Sequence, residues 1–196
     1  MMNLITSENI AYSNQEWKKM VSDISSKTIS LRLAKVDDAE FIYKLRVNDK
    51  LNKHISSFHG DVNNQKEWLV NYKLKEKNNE EYYYIITRND TGQPIGTVRL
   101  YDFINKNESF CWGSWILSEN KTRSAAIESA LLVYEIGFTH LGFIGCHFDV
   151  RKNNNLVVDF HKKSGAKVVS ENNLDYFFVY SLDAFLKLKE KYKSFL

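Results

Sequence analysis

Proline and cysteine are nearly absent from this chain, with one Pro and two Cys in 196 residues. The lone Pro94 follows a turn-like Asn89-Asp90-Thr91-Gly92-Gln93, and no repeat, low-complexity tract or linker divides the rest, so one domain is expected. Cys111 and Cys146 both fall inside strand-like apolar runs without metal-ligand spacing. They read as reduced, buried thiols of a cytoplasmic protein, with neither a disulfide framework nor a metal site. Long hydrophobic runs are missing too: nothing approaches the roughly 18 apolar residues of a membrane span, and no signal-peptide pattern opens the chain. Charge of one sign is not in excess either. There are 27 basic and 24 acidic side chains, net +3, and the lysines are scattered, so neither nucleic acid nor a membrane is an expected partner.

What the chain does have is a strongly patterned stretch from Phe110 to Ala166. Phe110–Leu117 (FCWGSWIL) reads as a buried strand, and Ser118-Glu119-Asn120-Lys121-Thr122 breaks it with loop residues. From Ser124 a helix begins, with Ile127, Ala130, Leu131, Tyr134 and Phe138 at helical spacing, ending near Leu141-Gly142. Ile144–Val150 is a second strand, and Asn154–Ser164 a shorter helix closed by Gly165-Ala166. A helix start carries free N–H groups and partial positive charge, so the 118–124 loop has two readings: an anion site beside Lys121 and Arg123, or an ordinary junction capped by Ser124.

Around this unit, residues 1–27 form an N-terminal extension with an amphipathic helix at Asn14–Ile24, and residues 28–196 form the domain. Thr28–Leu33 reads as a half-buried strand, Asp37-Asp38 start a helix, and a second helix runs over about 63–77. Tyr82–Thr87 and Ile95–Tyr101 pair as strands, with Gly96 marking a bulge or a close backbone approach. Lys167–Ser170 and Tyr176–Ser181 are final strands, and Leu182–Leu196 is a Lys-rich amphipathic helix.

Asn154, Val157, His161, Gly165 and Ala166, following the strand that ends at Val150, resemble the closing segment of the GCN5-related N-acetyltransferases (GNATs). The family's phosphate loop would fall on Lys121-x-x-Ser124-x-Ala126, with Ser124 where the family usually has Gly. The resemblance covers roughly residues 28 to 181. It implies an α+β (α/β) fold with a mixed, mostly antiparallel central sheet of six to seven strands flanked by helices. It also implies acetyl-CoA as cosubstrate and a primary amine as acceptor.

The resemblance assigns Ile116, Leu117, Ser118, Lys121, Thr122, Arg123, Ser124, Ala125, Ala126, Asn154 and His161 to the cofactor, with the backbone of Ile116 and Leu117 pairing the pantetheine amides. His161 takes the place of a Tyr general acid, beside the leaving thiolate. The base is left open among Glu108, His54, Asp102 and a water relay, because Phe110–Leu117 holds no carboxylate. Asn48, His54 and His59 are candidate acceptor contacts, and Arg99, Arg46 or Lys53 would suit the diphosphate of a nucleotide-linked amino sugar. That acceptor is the leading expectation. A protein N-terminus is the alternative, and a catalytically silent binding module is the alternative of another class. A homodimer through the sheet edge or the N-terminal helix is left open.

Overall fold

The computed structural model describes residues 19–55, 58–104 and 107–196. Residues 19–22 are helical and lead into β1 (Asp23–Ser25) and β2 (Ile29–Leu33). A short 3-10 turn (Val36–Asp38) opens α1 (Ala39–Arg46), and α2 spans Val62–Lys77. Asp61 caps α2 by accepting from the backbone N–H groups of Asn63 and Asn64 at 2.8 and 3.0 Å. There follow β3 (Tyr82–Arg88), β4 (Pro94–Ile104), β5 (Ser109–Leu117), α3 (Ala125–Tyr134) with a π-turn continuation (Glu135–His140), and β6 (Gly145–Arg151). The chain ends with α4 (Asn155–Lys163), β7 (Lys167–Glu171), β8 (Asp175–Ser181) and α5 (Leu182–Lys191). Among the described residues no helix is long and apolar enough to cross a membrane.

The strands form one sheet in the order β1-β2-β3-β4-β5-β6-β8-β7, antiparallel throughout except for the parallel pair β5–β6. Among the described residues eight strands replace the six to seven expected, because β1 adds to the edge of β2. Asp23-Ile24-Ser25 is too short and polar to show a strand period; backbone pairing makes it a strand. The helix read over 14–24 therefore gives way to strand at 23, while 14–18 lie outside the described residues. Val21 is buried in the core, and its carbonyl accepts from the Tyr84 hydroxyl at 2.9 Å.

Both faces of the sheet centre are covered, which explains why β3 reads as a continuous apolar run. Tyr82, Tyr84 and Ile86 enter the larger core with α3 and α5, whereas Tyr83 and Ile85 pack against α1 and α2 through Ile42, Leu69 and Tyr72. Helix α3 is buried almost all round, between the sheet and Phe185 of α5. Its last turn widens where Gly137 meets the ring of Phe110, and the chain exits through Gly142 at φ +72°.

Candidate active site

The site begins where β5 and β6 part. Their parallel pairing holds for three residue pairs, ending at Cys111↔His147. Beyond it β5 bulges: Ser114 adopts φ +48°, the register with β4 shifts between Thr97 and Arg99, and Thr97 Oγ1 donates to the Ser114 carbonyl at 3.1 Å. At Gly96 any Cβ would collide with the Ile116 carbonyl, which is the close backbone approach expected there. The bulge carries β5 away from β6 and opens a cavity of about 300 Å³ between them.

The cavity has two sides, set by strand alternation. Trp112, Phe148 and His161 line it on the face of the larger core; Tyr101, Gly113 and Asp149 line it on the other, where His54 and Ile55 of the α1–α2 connection close over it. A ligand reaching in from each face would meet at the splay.

His161, on α4, is 3% exposed and ringed by Trp112, Phe148, Phe160 and Phe178 at centroid distances of 4.3 to 6.0 Å. Burial pushes its imidazole down to about 3, and Nδ1 has no partner. It is neutral at physiological pH, so it can donate one N–H bond into the cavity but cannot serve there as a cationic acid. Asn154 stands at the N-cap of α4. Its backbone N–H donates to the Arg151 carbonyl at 2.9 Å, and its side chain makes no cap bond and lines the cavity.

From the cavity an apolar groove of about 340 Å³ runs between β5 and α4, walled by Trp115 and Leu117 on one side and Leu156, Val157 and Phe160 on the other. Trp115 is fixed by donating to Ser129 Oγ at 3.1 Å and by packing on Phe160 at 5.6 Å. Leu156 is 86% exposed on the rim of this groove. The groove ends at Lys121 and Ala126, at the start of α3.

That helix start is held by a buried carboxylate. Glu128 accepts from Ser26 Oγ at 2.6 Å, and from Thr28 N and Thr28 Oγ1 at 2.7 Å each; Thr28 Oγ1 in turn lies 2.7 Å from Thr122 Oγ1. Burial alone would raise the Glu128 carboxyl, but hydrogen bonds from Ser124, Ser26 and Thr28 outweigh it and leave it below the ordinary carboxylate range. Beside the loop, Lys27, Arg88, Lys121 and Arg123 line a cleft of about 430 Å³ against a single acid, Asp90, which Arg88 pairs at 2.6 Å. Such a helix start suits an anion.

Of the residues singled out in the sequence, the fold brings Asn154, His161, Leu117, Lys121, Ala126 and His54 to these connected spaces. Glu108 is exposed in the turn before β5, at the end where β5 and β6 are still paired, and does not line the cavity. The Asp102 carboxylate is engaged with His147 Nε2 at 3.1 Å, and His147 Nδ1 with Ser109 Oγ at 2.7 Å. Asn48 accepts from the Lys50 N–H at 3.0 Å, and neither it nor His59 lines the cavity. Arg99, tied to Glu81 at 2.6 Å and stacked on Tyr101 at 4.8 Å, does not line the cavity; Arg151, paired to Asp175 at 3.0 Å, does. Cys111 and Cys146 are free and buried, and burial pushes the Cys111 thiol up to about 12.

Sequence reasoning missed Tyr101, Asp149, Trp115 and Glu128. Asp149 carried a signal, as the one carboxylate in the strand that leads to Asn154. Glu128 carried none, because its partners lie about a hundred residues away.

The family described as "Acetyltransferase (GNAT) domain" matches residues 28–167. Among solved structures, the apo form of FdhC, a nucleotide-linked sugar GNAT, is 52% identical, with a TM-score of 0.83 over 89% of this chain and 98% of that one. Spermidine N-acetyltransferase from Vibrio cholerae, in complex with CoA and spermine, is 16% identical (TM-score 0.70, 81% of this chain and 98% of that one). Ribosomal-protein-S5-alanine acetyltransferase from Vibrio fischeri is 13% identical (TM-score 0.69, 82% and 97%). No curated protein matches the sequence.

Proposed function

On the premise that this chain belongs to the GNAT acetyltransferases and uses acetyl-CoA, we propose that it acetylates the primary amine of a nucleotide-linked amino sugar by direct attack in a ternary complex. The observation that carries this reading is the 52% identity to a nucleotide-linked sugar GNAT, spanning nearly all of both chains. Both substrates of such a reaction are cytoplasmic metabolites, and we place the protein there.

In this reading the pantetheine arm lies in the groove between Trp115–Leu117 and Leu156–Phe160, its amides paired with the backbone of Ile116 and Leu117. The pyrophosphate rests on residues 118–126 at the start of α3, with Asn154 contacting the pantetheine end or the adjoining backbone. The thioester then reaches the splay, where backbone N–H groups of the bulged β5 stabilise the charge developing on the carbonyl oxygen. His161 donates a hydrogen bond to the sulfur. The neutral imidazole stabilises the departing thiolate without titrating near neutral pH. The acceptor enters from the Tyr101 and Asp149 side, where Arg151 suits its diphosphate.

The test is thiol release from acetyl-CoA with a panel of amines: 4-amino-4,6-dideoxy sugar nucleotides, short peptides and polyamines. Turnover on a sugar nucleotide, reduced in His161→Phe and Asn154→Ala, is the expected result. Turnover confined to peptides or polyamines would refute the acceptor assignment.

A further inference from the structure

We propose that Asp149 is the general base that takes the proton from the acceptor's attacking nitrogen. This rests on the acetyl-transfer reading and names the group that reading leaves open.

Among the described residues lining the cavity, Asp149 is the only carboxylate. It lies on β6 two residues past the last β5–β6 pair, at the point where the strands part. Alternation along β6 sets it on the face opposite Phe148, whose ring packs on His161 at 4.3 Å. The base and the sulfur-side donor therefore stand on opposite sides of the splay, as direct attack on a thioester requires. The other acids considered are poorly placed: Glu108 is off the cavity, and Asp102 is bound to His147.

The surroundings suit the role. Burial, and then the nearby Asp175, raise the Asp149 carboxyl above its ordinary value, while Arg151 pulls it down more weakly. Arg151 itself is paired to Asp175 at 3.0 Å. Tyr101 and Cys111 face Asp149 from β4 and β5, and both are held protonated by burial, so neither competes for the proton. His54 faces it from the α1–α2 connection. A carboxylate raised in this way is a better proton acceptor.

The amine nitrogen attacks the thioester carbonyl carbon and forms the C–N bond; its surplus proton passes to an Asp149 carboxylate oxygen. The tetrahedral intermediate collapses, the C–S bond breaks, and the sulfur leaves with the electron pair to be protonated from water. Asp149 returns its proton to solvent.

The experiment is steady-state kinetics of Asp149→Asn, Asp149→Glu and His54→Gln on whichever amine the wild type accepts best, across pH 6 to 9, with acetyl-CoA affinity measured in parallel by thermal shift. Asp149→Asn should lower kcat at least about a hundredfold with acetyl-CoA affinity unchanged, and its rate should climb with pH until the amine's own pKa. Asp149→Glu should recover part of the rate, and His54→Gln, which alters a cavity-lining residue and can change the rate, should still retain the pH dependence set by Asp149. An Asp149→Asn enzyme within threefold of wild type, or one slowed with the wild-type pH profile intact, overturns the assignment; so does loss of the profile in His54→Gln. A wild type that acetylates no amine is a separate failure: it removes the acetyl-transfer reading and the base with it.

Discussion

Both carboxylate oxygens of Glu128 are taken by Thr28, one by its backbone N–H and one by its hydroxyl, each at 2.7 Å. This contact joins the residue before β2 to the first turn of α3, and Thr122 of the 118–124 loop is hydrogen-bonded to the same hydroxyl. The loop's shape is thus set by a buried acid behind it as well as by its own small residues. Glu128→Ala leaves Thr28 N without its acceptor and Ser26 Oγ with only the Ile29 carbonyl at 3.0 Å. It should cost about 3 kcal/mol of stability, as loss of one partner of a buried charged network does. It should also weaken acetyl-CoA binding severalfold. Chemical denaturation and calorimetric titration read the two effects; unchanged CoA affinity would mean the network does not shape the loop.

The buried His161 makes the fold acid-sensitive. Its folded-state value of about 3 lies below the ordinary 6.5, so the unfolded chain binds a proton over that interval and the native protein does not. Its contribution leaves stability intact above about pH 6.5 and lowers it progressively as pH falls toward 3, by about 2 kcal/mol at pH 5. His161→Phe should flatten that dependence. Melting temperatures from pH 7 to pH 5 decide the matter: parallel losses in wild type and variant would assign the sensitivity elsewhere.

Much of this architecture is legible in the sequence because it is periodic. The strands of 82–88, 109–117 and 145–151 and helix α3 follow from local apolar patterns, and the Asn154–Ala166 spacing locates α4 against the splay. What is not legible depends on contacts distant along the chain. β1 exists only through its pairing with β2, and Glu128 looks like an ordinary helix-surface acid until β2 is packed beside it. The site divides in the same way. His161 and Asn154 carry a spacing signal, whereas the cavity that Tyr101, Trp115 and Asp149 line opens where β5 bulges at Ser114.

Gly113 leaves room for the Tyr101 ring. A Cβ at 113 would stand 2.8 Å from the Tyr101 hydroxyl oxygen and 3.4 Å from the nearest ring carbon. Gly113→Ala should displace that ring into the acceptor side of the cavity and lower kcat/KM for the amine about tenfold or more, with acetyl-CoA affinity retained. Adding Tyr101→Phe removes the closest atom and should restore part of the loss. A double variant no better than Gly113→Ala would show that the clash is not the cause.

Trp115 forms the β5 wall of the apolar groove and is pinned by Ser129 and Phe160. Trp115→Ala removes that wall, and KM for acetyl-CoA should rise about tenfold, the scale of one aromatic contact. KM for the acceptor should move much less. Equal rises in both would mean that the groove does not discriminate between the two substrates.

The most direct measurement of the account is a comparison of kcat/KM, with acetyl-CoA saturating, for one amino sugar carried on its nucleoside diphosphate, the same amino sugar free, a short peptide and spermidine. The nucleotide-linked sugar should be favoured over each of the others by at least about a hundredfold, the scale of two charge-assisted contacts to a diphosphate. Equal turnover of the free sugar, or a preference for the peptide or spermidine, would contradict it.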